Sequence, residues 1–181
     1  MKIKLAFLLS SFFLISTAQA QSDDEKNYME AVVLRAYYKE SGFNFYHGMG
    51  GIRFGHKFDK NFSVEGLAAT ALATPSGYIG SVYVTAKVSN AFGVYAKVQS
   101  DPSNGYSVYG KAGATNGTVT ASAYVSGYSA TAWSSGTSAS YGGGVQIDTA
   151  KNQYVGIDYM SYYSKNGVTI SGPSVNFGWK F

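Results

Sequence analysis

The chain reads as all-β, an eight-stranded antiparallel up-and-down transmembrane β-barrel, and three observations carry that reading. In the last stretch, Val175, Phe177, Trp179 and Phe181 share one parity while Ser174, Asn176, Gly178 and Lys180 share the other, so a strand here has one apolar and one polar face. The composition, with 16 Tyr, 11 Phe and 22 Gly against 3 Pro and 13% charged residues, favours strands and is unusually aromatic. Beyond the N-terminal leader no apolar run is long enough for a membrane helix, whereas the alternating strands of a membrane barrel average to a near-neutral hydropathy such as this one.

The leader sets the compartment. Lys2 and Lys4 precede an apolar run from Leu5 to Ile15, and the run closes on Ala18-Gln19-Ala20, a small-x-small pattern that places cleavage between Ala20 and Gln21. Residues 1–20 are therefore expected to be a cleaved signal peptide, and residues 21–181 an outer-membrane barrel domain. The run is too short for a spanning helix of ~20 residues, which disfavours an uncleaved anchor. With no cysteine, disulfide, thiolate and Cys-ligated metal chemistry are excluded. Removing Lys2 and Lys4 lowers the formal charge from +4 to +2, so the basic balance gives no ground for a nucleic-acid partner.

The strands follow in order. The first is expected over 28–38, with Val32, Leu34, Ala36 and Tyr38 on one parity and Ala31, Val33 and Arg35 on the other, a weak contrast that leaves its register open. The second, from about 43 to 58, sets Ile52, Phe54 and Phe58 against Arg53 and Lys57, and Asp59-Lys60-Asn61 turns the chain. The third, 62–73, sets Phe62, Val64 and Ala68 against Ser63 and Glu65, and is broken by Thr74-Pro75-Ser76-Gly77. The fourth, 82–98, holds one parity for seventeen residues, with Val82 to Val98 on the even face and Lys87 and Lys97 on the odd face. A cut at Ser89-Asn90 into two strands is the alternative.

Residues 100–105, Ser-Asp-Pro-Ser-Asn-Gly, are the strongest turn signal in the chain. The fifth strand runs from 106, with Val108 and Ala112 opposite Tyr109 and Lys111, and weakens toward 125; residues 126–138, rich in Ser, Thr, Gly and Ala, read as a loop. The sixth strand, 139–148, sets Tyr141, Val145 and Ile147 against Ser140, Gln146 and Asp148, and a turn follows at 149–152. The seventh sets Val155, Ile157, Tyr159 and Tyr163 against Asp158 and Met160, and Lys165-Asn166-Gly167 turns into the eighth. Short turns at 59–61, 100–105 and 149–152 suit the periplasmic side, and connections near 39–42, 74–79, 126–138 and 164–168 the outside. An even number of strands lets the last pair with the first, leaving no edge in lipid.

With these residues in view, the chain resembles the small outer-membrane β-barrel family that includes the OmpA transmembrane domain, the OmpX and Ail type barrels and the opacity-like surface antigens. The matching stretches are Gly51-Ile52-Arg53-Phe54, Phe62-Ser63-Val64-Glu65-Gly66, Val108 to Gly113, Tyr141 to Val145, and Val175 to Phe181. The resemblance implies a monomeric, Gram-negative outer-membrane protein. It also implies that the strand Val175, Phe177, Trp179, Phe181 is the signal read by the barrel-assembly machinery. Unlike OmpA, the chain is expected to end with the barrel and to lack a peptidoglycan-binding domain.

Eight strands leave a lumen that side chains fill. The inward parity is expected to carry Arg53, Lys57, Glu65, Lys87, Lys97, Lys111, Asp148, Asp158 and Lys180, with Arg53 and Glu65 as a pair across their hairpin. The lumen is then a plug, or alternatively a small gated ion path. Outward Phe58, Phe62, Tyr141, Tyr159, Tyr163, Phe177, Trp179 and Phe181 suit the interfacial belts, against lipid and lipopolysaccharide. His47 is expected inside near the outer mouth and His56 on the lipid face. No spaced His-Ser-acid motif, no metal-ligand spacing and no phosphate loop are seen, so no catalytic residue, metal or cofactor is assigned; a lipid-modifying enzyme is the least supported alternative. Tyr128 and Trp133, among small polar residues, are the candidate contacts for a host or cell-surface ligand. The role expected is structural or adhesive.

Overall fold

The computed structural model describes residues 25–40, 43–79, 81–125 and 127–181. Nine strands occur: β1 (Asn27–Glu40), β2 (Phe43–Lys57), β3 (Phe62–Ala71), β4 (Ser76–Ile79), β5 (Val82–Gln99), β6 (Tyr106–Val125), β7 (Tyr128–Ala150), β8 (Gln153–Lys165) and β9 (Val168–Lys180). All pairings are antiparallel. The order β3-β2-β1-β9-β8-β7-β6-β5-β4, with β3 also paired to β5, closes the sheet into a ring. Because β3 and β4 lie on the same side of β5, pairing Phe62–Thr70 and Ser76–Ile79 respectively, they form one interrupted stave, and the ring has eight. The expected break at 74–77 is thus shorter, since the chain resumes pairing at Ser76 once past Pro75, which has no amide hydrogen for the ladder.

The last strand meets the first. β9 runs beside β1 from Tyr28↔Lys180 to Lys39↔Thr169, and beyond the ladder Asn27 and Phe181 exchange backbone hydrogen bonds of 3.0 and 2.8 Å. Lipid supplies no partner for an open edge, so this seam completes the barrel.

The turns follow their residues. Asp59 Oδ1 accepts the amides of Asn61 and Phe62, both at 2.7 Å, an Asx turn. Asn104 and Gly105 have φ of 53° and 81°, and Asn166 and Gly167 of 54° and 78°, the paired left-handed conformation that tight hairpins need and that Asn-Gly adopts at low cost. Lys60 Nζ lies 2.9 Å from Asp101 Oδ2 and ties two neighbouring turns together. That ammonium and the Asn61 amide hold the exposed Asp101 carboxyl below its usual range.

Two glycines let aromatic rings lie flat against the inner wall of the barrel. A Cβ on Gly55 would stand inside the Tyr28 ring, and one on Gly178 inside the Tyr154 ring. The two rings meet edge to face at 6.2 Å and line the lumen's floor at its periplasmic end. Gly178→Ala therefore overpacks this floor and should cost about 1–3 kcal/mol. The measurement is the urea midpoint of the folded band in detergent gels run without boiling. An unchanged midpoint would mean that Tyr154 leaves the floor freely.

Candidate functional site

The inward face of the lower barrel gathers six charged side chains. Glu30, Arg53, Glu65, Lys97, Lys111 and Asp158 are all at most 5% exposed. Registers explain the convergence: Glu30 pairs with Arg53 on β2, and Lys97 with Lys111 on β6. Likewise Glu65 faces Gly55, and Asp158 faces Gly144, leaving room for the long cations. Glu65 is the hub, with Lys111 Nζ at 2.7 Å, Lys97 Nζ at 3.5 Å and Arg53 Nε at 3.5 Å. Arg53 also bonds Glu30 and lies 3.6 Å from Asp158, which Lys111 approaches to 3.7 Å.

Three cations and three carboxylates balance, and hydroxyls complete the set. Tyr28 donates to Glu65 at 2.6 Å, Tyr154 to Glu30 at 2.8 Å and Tyr109 to Asp158 at 3.1 Å; Ser174 also donates to Asp158. Buried charge is tolerable only when paired and hydrogen-bonded in this way. Lys180 and Asp148, at 2.7 Å, lie half-buried nearer the periplasmic end.

Arg53 was expected against Glu65, and its nearest carboxylate is instead Glu30. Strand parity holds the signal for Glu30, which shares the even face of β1 with Val32 and Leu34, but that apolar company hides a charge that belongs inside. Lys87, expected in the lumen, is not there. A bulge between Val88 and Asn90 inserts Ser89 and reverses the parity above it, so Val88 is 2% exposed in the core and Lys87 turns to the outer face beside Thr120. The fourth expected strand is therefore neither uniform in parity nor cut in two. A second bulge, between Ser161 and Tyr163, follows the inward Tyr162 and brings Tyr163 opposite buried Ile170 and against the core, so Tyr163 leaves the lipid-facing belt.

Toward the outside, the lumen changes character. Leu34, Ala36, Met49, Leu67, Ala69, Val88, Ala91, Met160, Tyr162 and Ile170 form a buried apolar cluster. Along each strand these residues lie two to six positions outward of the charges: Leu34 beyond Glu30, Met49 beyond Arg53, Leu67 beyond Glu65, Ala91 beyond Lys97 and Met160 beyond Asp158. An apolar layer thus sits over a charged one. His47 is buried at its rim, with Nδ1 and Nε2 each 3.1 Å from a backbone carbonyl, of Ala73 and Val88. His56 lies half-buried on the outer surface, 2.8 Å from Asn27 Oδ1 and edge-on to Phe58.

Of the expected loop at 126–138, residues 128–138 are strand, and residue 126 lies outside the described residues. β6 and β7 stay paired from Tyr106↔Ile147 to Val125↔Tyr128, with Gly127 at φ 85° in the connection. Pairing of β7 with β8 begins only at Tyr141↔Ser161, so residues 128–140 of β7 have no ladder partner on that side among the described residues. β5 flanks β6 up to Tyr83↔Tyr124, and β4 flanks β5. A sheet of β4, β5, β6 and the upper part of β7 therefore rises above the rest of the barrel. Ser, Thr and Gly suppress the hydrophobic alternation that marks a strand in lipid, and cross-strand pairs such as Ser122 with Thr131, 2.9 Å between hydroxyls, replace it. Tyr128 is 81% and Trp133 74% exposed on this sheet.

Along the closing strand, Val175, Phe177 and Trp179 have the outward parity while Ser174 and Asn176 are buried, and Phe181 is exposed beyond it. Ala20 and Gln21 lie outside the described residues. Outside the barrel, Phe54, Phe58, Phe62 and Phe181 ring the periplasmic end, with Tyr46, Tyr141 and Tyr159 nearer the other.

A closed ring of eight antiparallel staves, apolar and aromatic outside and charge-filled inside, is a transmembrane barrel. The chain belongs to the outer membrane protein beta-barrel domain family, whose model matches residues 5–181, and its place is the Gram-negative outer membrane. Among solved structures, Ail, the attachment invasion locus protein of Yersinia pestis, in complex with the heparin analogue sucrose octasulfate, superposes with a TM-score of 0.62 at 20% identity, over 86% of this chain and 98% of its own. Neisserial surface protein A gives 0.58 at 18% identity, over 86% and 97%. The outer membrane protein OprG from Pseudomonas aeruginosa gives 0.51 at 12%, over 86% and 96%. These likenesses concern the fold. No curated protein matches the chain.

Glu65→Gln would leave Lys97, Lys111 and Arg53 with one anion fewer in a buried site, and should destabilise the barrel by about 3–5 kcal/mol. Urea unfolding in lipid vesicles measures it. Asp101→Asn, in an exposed turn, should change the midpoint little, because exposed pairs contribute only ~0–1 kcal/mol.

Proposed function

We propose that the protein is a non-enzymatic outer-membrane barrel whose projecting sheet binds a protein on an opposing surface. The carrying observation is the open edge of residues 128–137 beside exposed Tyr128 and Trp133; from Ser138 on, the Ser138 and Ser140 hydroxyls bond the backbone of β8. An unpaired strand offers a row of amides and carbonyls to an extended segment of a partner, and the usual edge protections, Lys, Glu or Pro, are absent from 128–140. Aromatic anchors among small hydroxyl residues add contact area at low entropic cost. Across 76–88 and 118–135 Lys87 is the one charged residue. A sulfated saccharide, such as the heparin analogue sucrose octasulfate held by Ail, is therefore poorly matched, and a neutral protein strand is matched well.

The apolar layer over the charged one argues against the gated-channel reading, since an ion crossing it loses its hydration without a polar partner. The engagement of both His47 ring nitrogens by carbonyls argues against a base for lipid chemistry. In biogenesis, the reading keeps cleavage after Ala20 and delivery to the assembly machinery through Val175 to Phe181, with a monomer as the mature form.

Replacing 119–134 with Asn-Gly shortens both arms of the hairpin in register, because Val119 pairs with Ser134. Cells displaying this variant should lose binding to whichever extracellular-matrix or host-surface protein the intact barrel captures, while its heat-dependent gel shift persists. Trp133→Ala alone should weaken that binding by about 2 kcal/mol, as expected of an anchoring aromatic. Full binding by the shortened barrel would sink the proposal, and stable single-channel openings in planar bilayers would restore the channel.

A further inference from the structure

The lipid-facing wall carries a feature unrelated to the projecting sheet. A groove of about 490 Å³ opens on the outside of β1, β2 and β9, bordered by Val33, Arg35, Tyr46, Gly48, Pro173 and Val175. Its floor is bare at Gly48, where a Cβ would meet nothing within 4 Å. The β1–β9 pairing lapses beside it, running to Leu34↔Ser174 and resuming at Tyr37↔Ser171, with Pro173, which has no amide hydrogen, in the gap.

Arg35 stands at the outer end of this groove. Its guanidinium carbon lies 4.5 Å from the centre of the Tyr46 ring, and Tyr46 stacks on Tyr37 at 4.7 Å. Among the described residues no carboxylate pairs with Arg35. Its height on the barrel follows from β2: Tyr46 lies eight residues above Phe54 of the periplasmic aromatic ring. At ~3.3 Å per residue and a tilt of ~40° this is roughly 20 Å, close to the height of the apolar band of such barrels. Arg35 and the Tyr37-Tyr46 pair therefore sit at the outer-leaflet interface, with Val33 and Val175 beneath them in the hydrocarbon.

We propose that this groove is a binding site for one phosphorylated glycolipid of the outer leaflet, of lipid A type. An acyl chain lies along Val33, Gly48 and Val175, and a sugar phosphate pairs with Arg35. An unpaired arginine at this height is complementary to a phosphate, and Tyr46 holds the guanidinium in place. The apolar trough below it fits a chain, which a free phosphate would leave uncovered.

Native mass spectrometry of the full barrel titrated with bisphosphorylated lipid A tests the site, with Arg35→Gln and Gly48→Phe as variants. Each variant is first checked for the heat-dependent gel shift, and Gly48→Phe points into open space, so it keeps the fold. Wild type should retain one lipid A. Arg35→Gln should weaken retention about fivefold, the equivalent of one interfacial cation. Gly48→Phe should weaken it likewise by filling the trough, and dephosphorylated lipid A should bind wild type as weakly as bisphosphorylated lipid A binds Arg35→Gln. Equal retention by all three proteins overturns the proposal. So does equal retention of phosphatidylglycerol, which would make the contact one with any anionic lipid.

Discussion

Glu65 receives the Tyr28 hydroxyl and faces Lys111, Lys97 and Arg53, all in a lumen closed to bulk water by its own side chains. A carboxylate and three cations in such a place are each too costly to bury alone, and stay charged because Glu30 and Asp158 complete the balance. That requirement reaches every stave: the charges come from β1, β2, β3, β5, β6 and β8, β9 supplies the Ser174 hydroxyl, and β7 supplies the Gln146 oxygen that accepts from Lys97 at 3.4 Å. A shift of any strand by one residue would move its charge from the lumen into lipid. The network thus acts as a register key as well as a plug, with Tyr28 and Tyr154 packed flat on Gly55 and Gly178 beside it.

Above the key the constraint relaxes. The apolar layer around Met49 and Leu67 needs only volume and shape, and the bulges at Ser89 and Tyr162 change which face of β5 and β8 supplies it. The bulge in β5 has a second consequence. By reversing parity it turns Ala86 and Val84 toward the barrel axis and Lys87 and Tyr83 outward, so the projecting sheet carries its Tyr78-Tyr83-Tyr124 row on its outer face. The sheet can rise because β7 is ten residues longer than β8, which leaves an edge where lipid is absent and an unpaired backbone is hydrated. Lower on the wall, the β1–β9 ladder lapses at Pro173, beside Arg35.

Much of this was legible in the residues. The alternation of 50–58, 62–69, 91–98, 106–112, 139–148 and 174–181, the Asn-Gly turns and the aromatic end of β9 are local signals, read correctly because each strand pairs with its sequence neighbour. Glu30 escaped because the inner face of β1 becomes apolar beyond it, as the outer face of a lipid-bathed strand does. Residues 128–138 escaped because a strand standing in water on both faces has no hydrophobic period to display. Lys87 and Tyr163 were misplaced by bulges, which insert one residue without any composition to mark it.

The amino-acid sequence by itself determined the architecture: the parity of most strands, the turn positions, and a last strand suited to close on the first, because these follow from local geometry and from the burial of one face. Only the tertiary structure decided which charges meet, that the lumen is layered, and that one hairpin stands free with its edge open. Those properties depend on stagger around the closed ring, where Arg53 of β2 meets Asp158 of β8, and Tyr154 of β8 meets Glu30 of β1, only once β9 has closed on β1.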